Sequence, residues 1–150
     1  MAKSTNGGRC YEVKTSNRTL GNGFEDELCL LLAEHGYWAH NMKQSAAGQP
    51  ADVIASKNNI PILIDCKVCS DDRFDLSRVE GNQEAAMTMW EVRGNTYCYF
   101  AMKLTSGEIY MVHYDDLCMM ELHGKKSLSK AEIKEFPTLD GWAQWMEGEG

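Results

Sequence analysis

The stretch from Pro50 to Val68, PADVIASKNNIPILIDCKV, constrains the fold more than any other part of the chain. It reads as two β-strands joined at Asn58-Asn59, because asparagine tolerates the left-handed backbone that a two-residue hairpin turn needs. A turn centred on that pair sets the register and puts Asp52 directly opposite Asp65. Side chains alternate along a strand, so Leu63, Asp65 and Lys67 share one face, and Ile60, Ile62, Ile64 and Cys66 the other. Carboxylates facing each other across a ladder lie roughly 5 Å apart at Cβ and repel. One ammonium, that of Lys67, is a poor shared partner for both. A divalent cation fits better, since Mg²⁺ takes a few carboxylate oxygens, a backbone carbonyl and several waters. The hairpin reads as a metal site with a lysine beside it.

The rest of the chain supplies elements to pack around this hairpin. Gly21 to Gly36 predicts a helix with Asn22 as N-cap and Glu25 at the third position, as in a capping box. Its CLLLA run is apolar nearly all round, so the helix should be buried. Glu25 either closes the cap or points its carboxylate toward the core side, along the face that carries Cys29 and Leu32. Tyr37 to Lys43 alternates as a strand, and Gln44 to Pro50 is a loop. A second helix runs from near Ser77 to Arg93, with Gly94 as its stop. Val79, Gln83, Ala86 and Trp90 lie along one stripe of it, so Gln83 is either a satisfied buried amide or a site residue. Thr96 to Leu104 and Glu108 to Tyr114 are two more strands, joined at Thr105-Ser106-Gly107. Asp115 to Met120 is a short helix or turn, Ser129 and Glu132 box the start of another helix, and DGWAQWM closes the chain as an amphipathic turn or two. The order α-β-β-β-α-β-β-α predicts an α/β fold, a mixed central sheet flanked by helices.

At 150 residues this is one domain, expected over residues 20–150. Residues 1–19 form a flexible basic arm ahead of it, with Arg9, Lys14 and Arg18 among its cations. No apolar run is long enough for a membrane span and no signal-peptide pattern opens the chain, so a cytoplasmic protein with reduced cysteines is expected. The net charge of −7 counts against a nucleic-acid partner unless acidic residues bind metal and basic ones cluster. Cys66-x-x-Cys69 has no second pair at zinc-finger spacing, and Cys66 falls on the isoleucine face as a small hydrophobe. His35, His40, His113 and His123 have no partner motif and read as structural or exposed.

Taken together, Glu25, Asp52, Asp65-Cys66-Lys67 and Gln83 resemble the signature of the PD-(D/E)XK nuclease superfamily. Within it the chain is similar to the Holliday junction resolvases of the archaeal and RecU types. Gly21-x-x-x-Glu25-x-x-Leu28, Gly48-Gln49-Pro50-Ala51-Asp52, Ile64-Asp65-Cys66-Lys67 and the helix with Gln83 stand in the order of their motifs. Ala51 is an extra residue between Pro50 and Asp52, and Asp65 stands where these resolvases more often carry Glu. A short loop before Asp52 leaves no room for the stalk of the RecU type, so the layout is closer to the archaeal one.

The resemblance implies a restriction-endonuclease-like fold and a structure-specific endodeoxyribonuclease, a Holliday junction resolvase of DNA recombination and repair. It implies catalytic roles for Glu25, Asp52, Asp65, Lys67 and Gln83. Mg²⁺, with Mn²⁺ as a substitute, would be held by Asp52, Asp65, the Cys66 carbonyl and Glu25. DNA, as a four-way junction, would meet Arg9, Lys14, Arg18 and the loop residue Ser45. A homodimer in the cytoplasm of a bacterial, archaeal or phage-infected cell is the expected form. A nuclease of the same superfamily acting on ordinary duplexes for restriction or repair, or a non-catalytic DNA-binding module of the same fold, are the alternatives.

Overall fold

A computed structural model of the chain describes residues 17–42 and 49–149. The elements run α1 (Asn17–Glu34), β1 (Trp38–Asn41), β2 (Val53–Lys57), β3 (Ile60–Val68), β4 (Phe74–Asp75), a single 3-10 turn (Leu76–Arg78), α2 (Gly81–Val92), β5 (Cys98–Lys103), β6 (Ile109–His113), α3 (Tyr114–Leu122), β7 (Ser127–Leu128), α4 (Lys130–Ile133) and α5 (Leu139–Glu147). Five strands form the main sheet in the order β1-β2-β3-β5-β6, and β4 pairs with β7 in a separate ribbon. Only β3 and β5 run parallel, and α2 lies in the connection between them. The other neighbours in the main sheet are antiparallel.

The hairpin has the register its turn dictates. Asn58 and Asn59 take φ of 54° and 67°, the two left-handed residues of a tight turn, and Lys57 pairs with Ile60 through to Val53 with Ile64. The Asp52 N–H extends the ladder by donating to the Ile64 carbonyl at 3.1 Å. Alternation along β3 then divides the molecule. Ile62 and Ile64 enter one core with Phe24, Leu28 and Leu32 of α1 and Leu139, Trp142 and Met146 of α5. Leu63 enters the opposite core with Met87 of α2, Leu117 of α3, Phe74 and Leu128 of the ribbon, and Ile133 of α4. The sheet is thus covered on both faces, as its mixed topology requires.

Two sequence-based expectations change. The first helix starts at Asn17, not after Gly21, so Asn22 is interior and Glu25 stands two turns in rather than at a cap. Packing of Phe24, Leu28 and Leu32 against the sheet outweighs the weak helix propensity of Gly21 and Gly23. The second helix is shorter than read and begins at Gly81 after the 3-10 turn, with Met87, not Val79 or Ala86, as its fully buried residue. The helix stops are as expected: Gly36 and Gly94 adopt φ of 88° and 98°, where a Cβ would be strained. Met87 and Trp142 are buried in the cores, while Met89 and Trp145 are about half exposed.

Candidate active site

The site forms where β2 stops and β3 continues. Asp52 is fixed there from both sides: its carbonyl accepts from Met42 N–H at 2.8 Å, and its N–H is tied to β3. Its carboxylate accepts the Cys66 N–H on Oδ2 at 2.8 Å and the Gln49 amide on Oδ1 at 3.0 Å. In an extended strand the N–H and C=O of one residue point to the same edge. The Cys66 carbonyl therefore faces the Asp52 side as well.

Asp65 sits on β3 with 1% of its surface exposed. Both of its carboxylate oxygens are buried and, among the described residues, lack a hydrogen-bond donor. Lys67 Nζ lies 3.2 Å from Oδ2, close enough for an ion pair but not aligned as a hydrogen bond. Two of the lysine's three N–H groups donate elsewhere, to the Arg78 carbonyl at 3.0 Å and to Gln83 Oε1 at 3.1 Å. Gln83 Oε1 also accepts the Glu80 N–H at 3.0 Å, closing a capping box at the start of α2. The cap of α2 and the grip on Lys67 are one structure. Gln83 is therefore both things its place on the helix allowed, a satisfied amide and a neighbour of the site.

Glu25 reaches the same notch from α1, half-buried. Burial first, then the Asp52 carboxylate beside it, push its carboxyl up from an ordinary 4.5 to about 8. Asp65 is pushed up to about 7, again by burial and then by Asp52, with Lys67 pulling the other way. Cys66, whose side chain faces the α1 core, is also held well above the usual thiol range, by burial first and then by Asp52. Three carboxyl groups and one ammonium thus share one notch, in which Asp65 and Lys67 are buried and Asp52 and Glu25 half-buried. A divalent cation is the chemical species that relieves this, and the two orphaned oxygens of Asp65 are where the donor set is incomplete.

The structure brings Glu25, Asp52, Asp65, Cys66, Lys67 and Gln83 together. Arg9, Lys14 and Ser45 lie outside the described residues, and Arg18 falls within the first turn of α1. Two participants escaped the sequence reading. Gln49 holds Asp52, and its own Oε1 is buried without a partner among the described residues; its place next to Pro50 in the Asp52 motif was the available signal. The Arg78 carbonyl holds Lys67, and no side-chain pattern could have pointed to a main-chain oxygen.

A mixed sheet between helices, carrying paired acidic residues and a lysine on its central hairpin, defines a nuclease of the PD-(D/E)XK class. The family model of the archaeal Holliday junction resolvase (Hjc) matches residues 16–134, and the chain belongs to that family. It is accordingly a structure-specific endodeoxyribonuclease of DNA recombination and repair, and membership implies use of a divalent metal. Among solved structures, Archaeoglobus fulgidus Hjc, a Holliday junction resolvase from an archaeal hyperthermophile, superimposes with a TM-score of 0.65 at 17% identity. The match covers 82% of this chain and 99% of that one, and it establishes the shared fold. No curated protein sequence matches significantly. Among the described residues, no helix is long and apolar enough to cross a membrane.

Proposed function

We propose that the chain cuts four-way DNA junctions with Mg²⁺ held by Asp52, Asp65 and the Cys66 carbonyl, and by Glu25 directly or through a water. The observation that carries this reading is the pair of donor-free buried oxygens on Asp65, beside Asp52 and Glu25. Mg²⁺ of this kind supplies Lewis-acid stabilisation of the attacked phosphate and acidifies a bound water. Lys67, whose Nζ lies 3.2 Å from Asp65 Oδ2, orients the attacking water and stabilises the charge that develops on the phosphate. Gln83 and the Arg78 carbonyl hold the ammonium in that position. Gln49 and the Cys66 N–H hold the Asp52 carboxylate so that its remaining lone pairs face the cation.

A junction has approximate two-fold symmetry and needs two matched nicks, so the working form in the cytoplasm is a homodimer with two such sites. Residues 1–19, with Arg9, Lys14 and Arg18, and the loop residue Ser45 supply phosphate contacts that offset the acidic body. The deciding experiment is incubation with a labelled four-way junction and a matched linear duplex, each with and without Mg²⁺. Cleavage of the junction alone, only with metal, is expected. Equal cleavage of both substrates by a protein that sediments as a monomer would remove the junction assignment and leave a duplex nuclease. Binding to DNA without cleavage under any divalent metal would leave a non-catalytic module.

A further inference from the structure

At the far end of α2 from Gln83, a second group of metal-type donors converges. Glu91, Cys98 and His113 each offer one ligand atom, all within 4.8 Å of one another. Glu91 is eight residues beyond Gln83, about 12 Å along the helix at the α-helical rise, so this group is separate from the nuclease carboxylates. Cys98 opens β5 and is fully buried, with its thiol directed at Glu91 Oε2 at 3.7 Å. His113 closes β6 and caps α3. Its Nε2 lies 2.8 Å from the Thr96 carbonyl, to which that nitrogen donates, and its Nδ1 carries the lone pair that accepts the Asp115 N–H at 3.0 Å. The Asp115 carboxylate lies 3.8 Å from the same Nδ1.

We propose that Glu91, Cys98 and His113, joined by Asp115, form a binding site for a thiophilic divalent cation of the Zn²⁺ class. The donor set decides the class. One thiolate, one imidazole and two carboxylates suit Zn²⁺ or Co²⁺, whereas Mg²⁺ prefers oxygen ligands alone. Tetrahedral bonds of about 2.0–2.3 Å place neighbouring ligands roughly 3.5 Å apart, so the observed separations close with small side-chain movements. One imidazole nitrogen is anchored to a backbone carbonyl, as in metal-bound histidines, and the other, Nδ1, is held by the Asp115 N–H. Burial, then Asp115, hold Glu91 above the usual carboxylate range, and a cation between the two carboxylates relieves that crowding. On binding, the sulfur–metal bond replaces the S–H bond of Cys98 and the proton leaves to solvent. A cation on Nδ1 displaces the Asp115 N–H, which is left to water at the exposed start of α3. Ligands from α2, β5, β6 and α3 would then be tied at one point, which fastens the helix whose other end grips Lys67.

The test uses untagged full-length protein with Mg²⁺ in excess, titrated with Co²⁺. A thiolate-to-cobalt charge-transfer band that saturates at one equivalent is expected. It should vanish in Cys98→Ser, weaken at least tenfold in affinity in Glu91→Gln, and remain in Asp52→Asn. Zn²⁺ should displace the cobalt and raise the melting temperature of the parent but not of Cys98→Ser. Absence of the band in the parent, or its survival in Cys98→Ser, overturns the proposal. Should Cys98→Ser not fold, an unchanged cobalt affinity in Glu91→Gln overturns it equally. The readout is spectroscopic, so its outcome is independent of whether the nuclease carboxylates bind Mg²⁺.

Discussion

Two parts of this molecule treat carboxylates in opposite ways. Around Ser129 and Asp72 the acids are part-exposed at the surface and partnered. Glu132 accepts the Ser129 N–H and pairs with Lys125, and Lys125 first, then Ser129, push it down to about 2. Asp72 accepts both the N–H and the hydroxyl of Thr105 at 2.8 Å, which lowers it in the same way. At the hairpin, Asp65 and Glu25 are crowded, buried or half-buried and raised. Satisfied carboxylates fasten the chain, and frustrated ones are left crowded, the oxygens of Asp65 without a hydrogen-bond donor among the described residues.

The sharpest way to break this contrast is to remove the frustrated groups. Asp65→Ala or Asp52→Ala should abolish Mg²⁺ binding by calorimetry and with it Mg²⁺-dependent cleavage, while the metal-free protein stays folded and gains stability as like charges are separated. Intact metal binding in both variants would mean that the crowding has another purpose. Lys67→Ala should bind junction DNA nearly as well as the parent and cut it about 10²–10³-fold more slowly in single-turnover assays. Gln83→Ala and Gln49→Ala act one step out, through Lys67 and Asp52, and should each lose about 10–100-fold, in cleavage rate and in metal affinity respectively.

The pH dependence of stability sharpens the comparison further. Glu25 and Asp65 are raised on folding, so their contribution is complete below their ordinary values near 4 and is lost as pH rises through about 7 and 8. Glu132 is lowered, so its contribution is present above its ordinary 4.5 and is lost as pH falls toward about 2. Urea unfolding without metal should therefore show stability falling from pH 5 to pH 9, a fall that saturating Mg²⁺ reduces and Glu25→Gln partly removes. A flat profile over that range would show that the carboxylates are not crowded in solution. The smallest effect belongs to the satisfied region: Ser129→Ala removes the cap of α4 and should cost about 1 kcal/mol, with cleavage unchanged.

What the sequence determined by itself was whatever depends on neighbours a few residues apart. Asn58-Asn59 and the alternation through Ile60 to Cys66 specified the hairpin, its register and the meeting of Asp52 with Asp65, since turn geometry and the period of two leave one solution. Ser129 with Glu132 and the stops at Gly36 and Gly94 were legible for the same reason. The tertiary structure alone decided where α1 begins, because burial of Phe24, Leu28 and Leu32 overrides the local signal of Gly21 and Asn22 and thereby frees Glu25 from a cap to face Asp52. It also decided that Met87 and Trp142 are core, that a two-residue ribbon joins Phe74 to Leu128, and that Glu91, Cys98 and His113 meet. None of these has a period or a motif. The net charge of −7 misled in the same way: a sum over the chain does not say which acids crowd around one point and which are spent on lysines at the surface. Each such contact joins residues far apart in the chain, and their closeness follows only once both faces of the sheet have been covered.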